Sequence, residues 1–167
     1  RFSHSLGAYH LACKLTQLIQ EVQPGIIDDD DAELVQLAAL LHDIGHPPYS
    51  HLLETPKVFA TFHSHEHWGR LLLESEETEI GRVVKDILGS KRLGRLFAIM
   101  DGDSDYDGVA IPPFMKEIVS SQLDVDRMDY LVRDQANTGA QIGGFDIDRV
   151  FRALRIGDDG HFHVKAW

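Results

Sequence analysis

The segment "DAELVQLAALLHDIGHPP", residues 31–48, constrains the fold more than any other stretch. As a helix it is apolar nearly all round from Leu34 to Leu41, and a helix without a polar face is stable only when other elements enclose it. The chain must therefore build a bundle around a central helix. The acidic run from Asp28 to Asp31 supplies an N-cap and a favourable charge at the helix's positive end. Gly45 can take a left-handed capping conformation, and Pro47 with Pro48 forbids continuation, so the helix is expected to stop between His42 and Gly45.

The rest of the chain offers helices to surround it. Leu11, Leu15, Leu18 and Val22 recur at helical spacing and give a first amphipathic helix ending near Pro24 and Gly25. Further helices are expected at about 65–75, 78–88, 90–99, 113–121, 126–137 and 146–154. The close, "FRALRIGDDGHFHVKAW", alternates apolar and polar residues on both sides of a turn and predicts a terminal β-hairpin. The fold class is thus all-α with one short hairpin. With 167 residues, 43% of them apolar, residues 1–167 make one domain. The opening "RFSH" lacks a methionine, and we expect a piece of a longer protein.

No apolar run reaches the roughly 20 residues that span a bilayer. The single cysteine, Cys13, can form no internal disulfide and is read as core, and the reducing cytoplasm is the expected compartment. A net charge of -11, from 27 acidic and 16 basic residues, argues against nucleic acid as a partner. A phosphate ligand would need local help from a cation or focused arginines.

Ten histidines exceed the usual two percent or so, and they cluster. At a helix terminus the backbone can turn adjacent His42 and Asp43 toward one ion, and such a mixed set suits manganese, iron, nickel or zinc, or magnesium with water. Two ligands are too few, and the remaining candidates are His4 and the aspartates of "QLDVDRMDYLVRD" at 122–134. On a helical wheel Asp126, Tyr130, Arg133 and Asp134 share a polar face, with Met128, Leu131 and Val132 opposite. A solvent-facing stripe is the competing reading. "DSDYDG" at 103–108 matches the first half of a calcium loop, but Phe114 stands where the bidentate glutamate belongs, so a solvated acidic loop is expected. His63 and His67 are read as surface, and His10, His161 and His163 receive no role.

Taken together, "RFSHS" at 1–5, "HDIGHPPYSH" at 42–51, "HE" at 65–66 and "LDVDRMDYLVRD" at 123–134 resemble the HD-domain phosphohydrolases, and most closely their deoxynucleotide triphosphohydrolase branch. The resemblance covers essentially the whole chain. It implies a helical HD-domain bundle in which His4, His42, Asp43 and Asp126 ligate one catalytic metal. It also implies that His46 contacts the phosphate nearest the sugar and that His51, oriented by Glu54, donates a proton to the leaving oxygen. His65 and Glu66 would be a second catalytic histidine and acid. Arg1, Arg127 and Arg133 would meet the triphosphate, and Tyr130 and Asp134 the sugar. Pro47 departs from the glycine common in relatives and stiffens the turn between His46 and His51.

The expected activity is hydrolysis of a deoxynucleoside triphosphate (dNTP) to deoxynucleoside and inorganic triphosphate, in a protein expected to form homo-oligomers. Another nucleotide phosphoester is the alternative substrate. A nucleotide-binding regulatory module without turnover is the alternative from a different class.

Overall fold

The computed structural model describes residues 1–49, 63–139, 144 and 146–165. Among these, seven helices and two small hairpins follow in the order α1 (Phe2–Val22), α2 (Asp29–Leu41), α3 (His65–Glu74), α4 (Glu79–Asp101), β1 (Asp105–Tyr106), β2 (Val109–Ala110), α5 (Pro113–Val119), α6 (Val125–Thr138), α7 (Ile147–Ala153), β3 (Leu154–Ile156) and β4 (Phe162–Val164). The expected all-helical architecture is present. No helix among the described residues is long and apolar enough to cross a membrane.

The central position of α2 follows from its composition. Leu34, Val35, Ala38 and Ala39 have no exposed surface, and the helix is enclosed by α1, α4 and α5. Each fully buried leucine or valine contributes about 1.5–3 kcal/mol relative to exposure. At its start Asp28 accepts a hydrogen bond from the Asp31 amide at 2.8 Å, the cap expected from the acidic run. Arg95 of α4 then grips both oxygens of Asp31, at 2.6 and 2.7 Å, and pins the start of α2 to its neighbour.

At its other end α2 stops at Leu41, and the capping residue His42 is still right-handed. The left-handed role expected of Gly45 is not what the structure uses, since Gly45 is absent from the positive-φ glycines. Gly45 instead lies against the backbone of α3, where a Cβ would sit 2.8 Å from Gly69 Cα and would overlap the carbonyl oxygen of His65. The glycine is needed for close approach.

The helices expected on either side of residue 89 are present as the two halves of α4, separated at Gly89, whose φ of 66° and ψ of 171° are non-helical. Three other expectations change. The acidic loop at 103–108 is a tight hairpin, because Asp107 and Gly108 both take positive φ (54° and 74°) and so make the turn that joins twisted strands with two residues. On α6, Asp129 is buried beside Met128 while Val132 is 40% exposed, so the face assigned as apolar is rotated from the one that packs. Cys13 is half-buried rather than core.

The terminal hairpin is present, with Leu154 opposite Val164 and Ile156 opposite Phe162. Gln23 holds its first strand by bonding both backbone groups of Ile156 at 2.9 Å. Glu117 accepts from His161 Nδ1 at 2.6 Å and from the Phe162 amide at 2.9 Å. His161 thus serves the hairpin.

Candidate metal centre

Four elements deliver polar groups to one point. The first turn of α1 brings His4, the terminus of α2 brings His42 and Asp43, α3 brings His65 and Glu66, and the first turn of α6 brings Asp126. With Arg1, His46 and Tyr130 they line a cleft of about 470 Å³. That volume falls within the range of small-molecule sites.

His4, His42 and Asp126 each turn one potential ligand atom toward a common point, all within 4.8 Å of one another. His4 Nε2 lies 2.9 Å from Asp126 Oδ1 and 3.8 Å from Asp43 Oδ2, and His42 Nε2 lies 3.6 Å from Asp126 Oδ1 and 3.4 Å from Asp43 Oδ1. The tautomers follow from the other ring nitrogens. His42 Nδ1 contacts the Ala39 carbonyl at 2.8 Å and His4 Nδ1 contacts Asp129 Oδ2 at 2.7 Å. Those oxygens can only accept, so both Nδ1 atoms carry hydrogen and both Nε2 atoms face the centre. His42 Nε2 is buried with no hydrogen-bond partner among the described residues. A buried lone pair left so is costly unless a cation takes it, and two imidazoles with two carboxylates fit a divalent ion of borderline hardness.

The charges respond to this crowding. Asp126 raises the pKa of His4 from 6.5 to about 9 through its hydrogen bond; burial opposes the shift and Asp129 reinforces it. Burial alone would push Asp126 up, but the hydrogen bond from His4 and the charge of the nearby His42 imidazole hold it well below the carboxylate range. For His42 burial works against the charge, yet Asp126, Asp43 and the Ala39 carbonyl leave the pKa raised.

In metal-free protein a raised histidine pKa stabilises the fold fully below the unfolded value of 6.5, and this contribution is lost as pH rises through about 9. Chelator-treated protein should therefore melt at a lower temperature at pH 9 than at pH 6.5, and His4→Gln should flatten the difference. An equal slope in His4→Gln would remove His4 as its source. A bound cation reverses the sign, because it competes with the proton for Nε2.

A second group, Asp43, His46 and His65, lies beside the first. His46 Nε2 is 3.2 Å from Asp43 Oδ1, and the rings of His46 and His65 stack with centroids 3.7 Å apart and planes inclined by 16°. Imidazole lone pairs lie in the ring plane, and two stacked, nearly parallel planes do not converge on one nearby ion. The pair is better suited to present two N–H donors to an anion. Arg1 adds its guanidinium, bonded to Asp43 Oδ2 at 3.1 Å.

Not every residue named from the sequence reaches the cleft. Arg133 is engaged with Asp129 and the Ser3 carbonyl, and the exposed Arg127 side chain pairs at 3.4 Å with the buried Asp124 at the start of α6. Neither these arginines nor Asp134 lines the cleft. His51 and Glu54 lie outside the described residues. His63 and His67 are exposed, as expected, and stack on each other.

The sequence reading counted Asp129 only among the candidate ligand aspartates and missed its pairing with His4 and Arg133, although its spacing of four from Arg133 is the signature of a helical ion pair. It also missed the far wall of the cleft. There Arg70 lies over the Phe97 ring at 4.7 Å, held by Glu74 and Asp101, and Lys116 bonds the Met100 carbonyl. No local pattern joins those residues, which come from three helices.

Comparison with known proteins places this geometry. Residues 1–134 match the HD domain. The uncharacterized protein YwfO of Bacillus subtilis is 35% identical over 159 residues, covering 95% of this chain and 34% of that protein. Human deoxynucleoside triphosphate triphosphohydrolase SAMHD1 is 31% identical over 185 residues, covering 93% of this chain and 28% of that protein. The crystal structure of a phosphohydrolase from Bacteroides thetaiotaomicron superposes with a TM-score of 0.78 at 34% identity, over 99% of this chain and 37% of that one. The chain spans about a third of the length of the curated relatives it matches. Its sequence, its fold and the convergence of His4, His42, Asp43 and Asp126 agree, and the chain belongs to the HD-domain phosphohydrolase superfamily.

Proposed function

We propose that this chain is the catalytic core of a metal-dependent nucleotide phosphohydrolase that cleaves deoxynucleoside triphosphates to deoxynucleoside and inorganic triphosphate. The observation that carries the reading is the adjacency of two unlike groups in one cleft, a ligand set of His4, His42, Asp43 and Asp126 and a donor set of His46, His65 and Arg1. The similarity to SAMHD1, named a deoxynucleoside triphosphate triphosphohydrolase, supports the choice of substrate.

In this reading the four ligands hold a divalent ion, which supplies Lewis acidity at a phosphoryl oxygen and acidifies water. His46 and His65 donate to the phosphate oxygens, and Arg1 offsets their charge in a protein that is otherwise acidic. His51, supported by Glu54, protonates the departing 5′ oxygen, and Glu66 orients the neighbouring histidine. Tyr130 packs against the sugar, where its ring leaves little room for a 2′ hydroxyl. Arg127, Arg133 and Asp134 drop out of the substrate contacts, which leaves the sugar recognised from fewer sides and favours, as a second reading, a broader phosphoesterase. The whole protein would act in the cytoplasm as a homo-oligomer.

The test is a panel of nucleotides offered to purified, metal-assayed protein, with products separated chromatographically. Inorganic triphosphate from dNTPs is the expected result. Orthophosphate or pyrophosphate would support the broader reading, and binding without product would indicate a regulatory module. Tyr130→Ala should narrow the preference for deoxy over ribo substrates; a wild-type enzyme that turns over both equally would refute the sugar assignment.

A further inference from the structure

We infer that Asp129 is the positioning residue that sets the metal-binding edge of His4, and that Gly7 is the gap in α1 that lets it do so. The inference rests on the reading of His4 as a ligand and adds to it three residues that take no part in binding metal or substrate.

Asp129 is 8% exposed and bridges two helices. Its Oδ2 accepts from His4 Nδ1 at 2.7 Å and from Arg133 Nε at 2.9 Å, and its Oδ1 accepts from Arg133 Nη2 at 2.8 Å. The same Nη2 donates to the Ser3 carbonyl at 2.7 Å, which ties the guanidinium to the residue next to His4. A carboxylate fixed by three N–H donors cannot rotate, and the imidazole bonded to it can neither flip nor change tautomer. Its Nε2 is thereby aimed at Asp126 and Asp43.

Gly7 follows His4 by three residues and lies on the same face of α1. A Cβ there would overlap Asp129 Oδ1 and lie 2.6 Å from Arg133 Nη2. Glycine inside a helix costs roughly 1 kcal/mol relative to alanine, and α1 carries it where the carboxylate needs the space. Asp129, Arg133 and Gly7 form one clasp, and its effect on the ion passes entirely through His4.

Cobalt(II) titration of the purified protein, followed by its visible absorption and by competition with a chelator, tests this without measuring activity. Asp129→Asn is nearly isosteric, but its amide can donate to Nδ1 and so drive the imidazole proton onto Nε2, where the ion must bind. We expect about 10- to 100-fold weaker cobalt binding in Asp129→Asn, the range for loss of a carboxylate behind a metal-bound histidine. Gly7→Ala should weaken it in the same direction. Unchanged cobalt affinity in folded Asp129→Asn, with only a lower melting temperature of the metal-free protein, would mean a purely structural clasp and overturn the inference. If Asp129→Asn does not fold, Gly7→Ala decides by the same criterion. His4→Ala separates the two readings: wild-type affinity in that variant refutes His4 as a ligand, whereas weak binding there with normal binding in Asp129→Asn refutes only the role of Asp129.

Discussion

Replacing Asp126 with alanine is expected to remove bound metal and turnover together. Its Oδ1 is the oxygen that both imidazoles approach, at 2.9 Å from His4 Nε2 and 3.6 Å from His42 Nε2, and it is the candidate ligand atom from α6. Without it the ion would rest on groups from α1 and the end of α2, with one side open. Asp43 remains 3.4 Å or more from either Nε2 and already accepts from Arg1. The side chain of Asp126 is one-third exposed, at 33%, so its truncation leaves no buried cavity and the fold should survive. Elemental analysis after extensive dialysis should find metal at background, and nucleotide turnover should fall below detection. The same variant carries an internal check. His4 loses the partner chiefly responsible for its raised pKa, so the decline in metal-free stability between pH 6.5 and about 9 should flatten. A full equivalent of metal in Asp126→Ala would take Asp126 out of the ligand set.

The sequence revealed what depends on local patterns and missed what depends on distant contacts. The central helix was legible because eight successive residues from Leu34 to Leu41 leave almost no polar face, and its start was legible because Asp28 caps by a local bond. The break at residue 89 was legible as the gap between the helices expected at 78–88 and 90–99, and Gly89 makes it by taking a positive φ. The candidate ligand types were legible too, since histidine and aspartate at a helix terminus have few competing uses in such a cluster. Which helix face packs was harder to read. Asp129 looks polar on a wheel, yet it is buried because Arg133 and His4, one on its own helix and one 125 residues away, satisfy it. For the same reason Arg133 was assigned to phosphate: an arginine's charge is visible in sequence, but the carboxylate it engages is not. Gly45 was picked out correctly and explained wrongly, because the approach of α3 is a tertiary fact with no local trace.

Gly45 therefore supports the second large prediction, that Gly45→Ala separates the phosphate-side histidines while leaving the metal ligands in place. The atoms its Cβ would strike are all backbone: the His65 carbonyl oxygen, the Gly69 nitrogen and Gly69 Cα at 2.8 Å. A side chain can rotate away from such a contact, but the first turn of a helix can only move as a unit. That turn begins with His65, whose ring stacks on His46 at 3.7 Å, so relieving the clash pulls the stack apart. Overpacking of this kind typically costs about 1–3 kcal/mol, or a fall in melting temperature of roughly 2–4 °C per kcal/mol for a chain of this size. Gly69→Ala is the control from the opposite side of the same contact. A Cβ there meets Gly45 nitrogen and Ile44 Cγ2 at an ordinary 3.5 Å, and an alanine in a helix is intrinsically favoured over glycine by about 1 kcal/mol. Gly69→Ala should thus melt at or above the wild-type temperature. Gly45→Ala should melt lower, bind metal normally through His4, His42 and Asp126, and lose nucleotide affinity. Equal melting temperatures in the two variants would show that α3 yields freely at this contact, and that Gly45 does not hold His65 against His46.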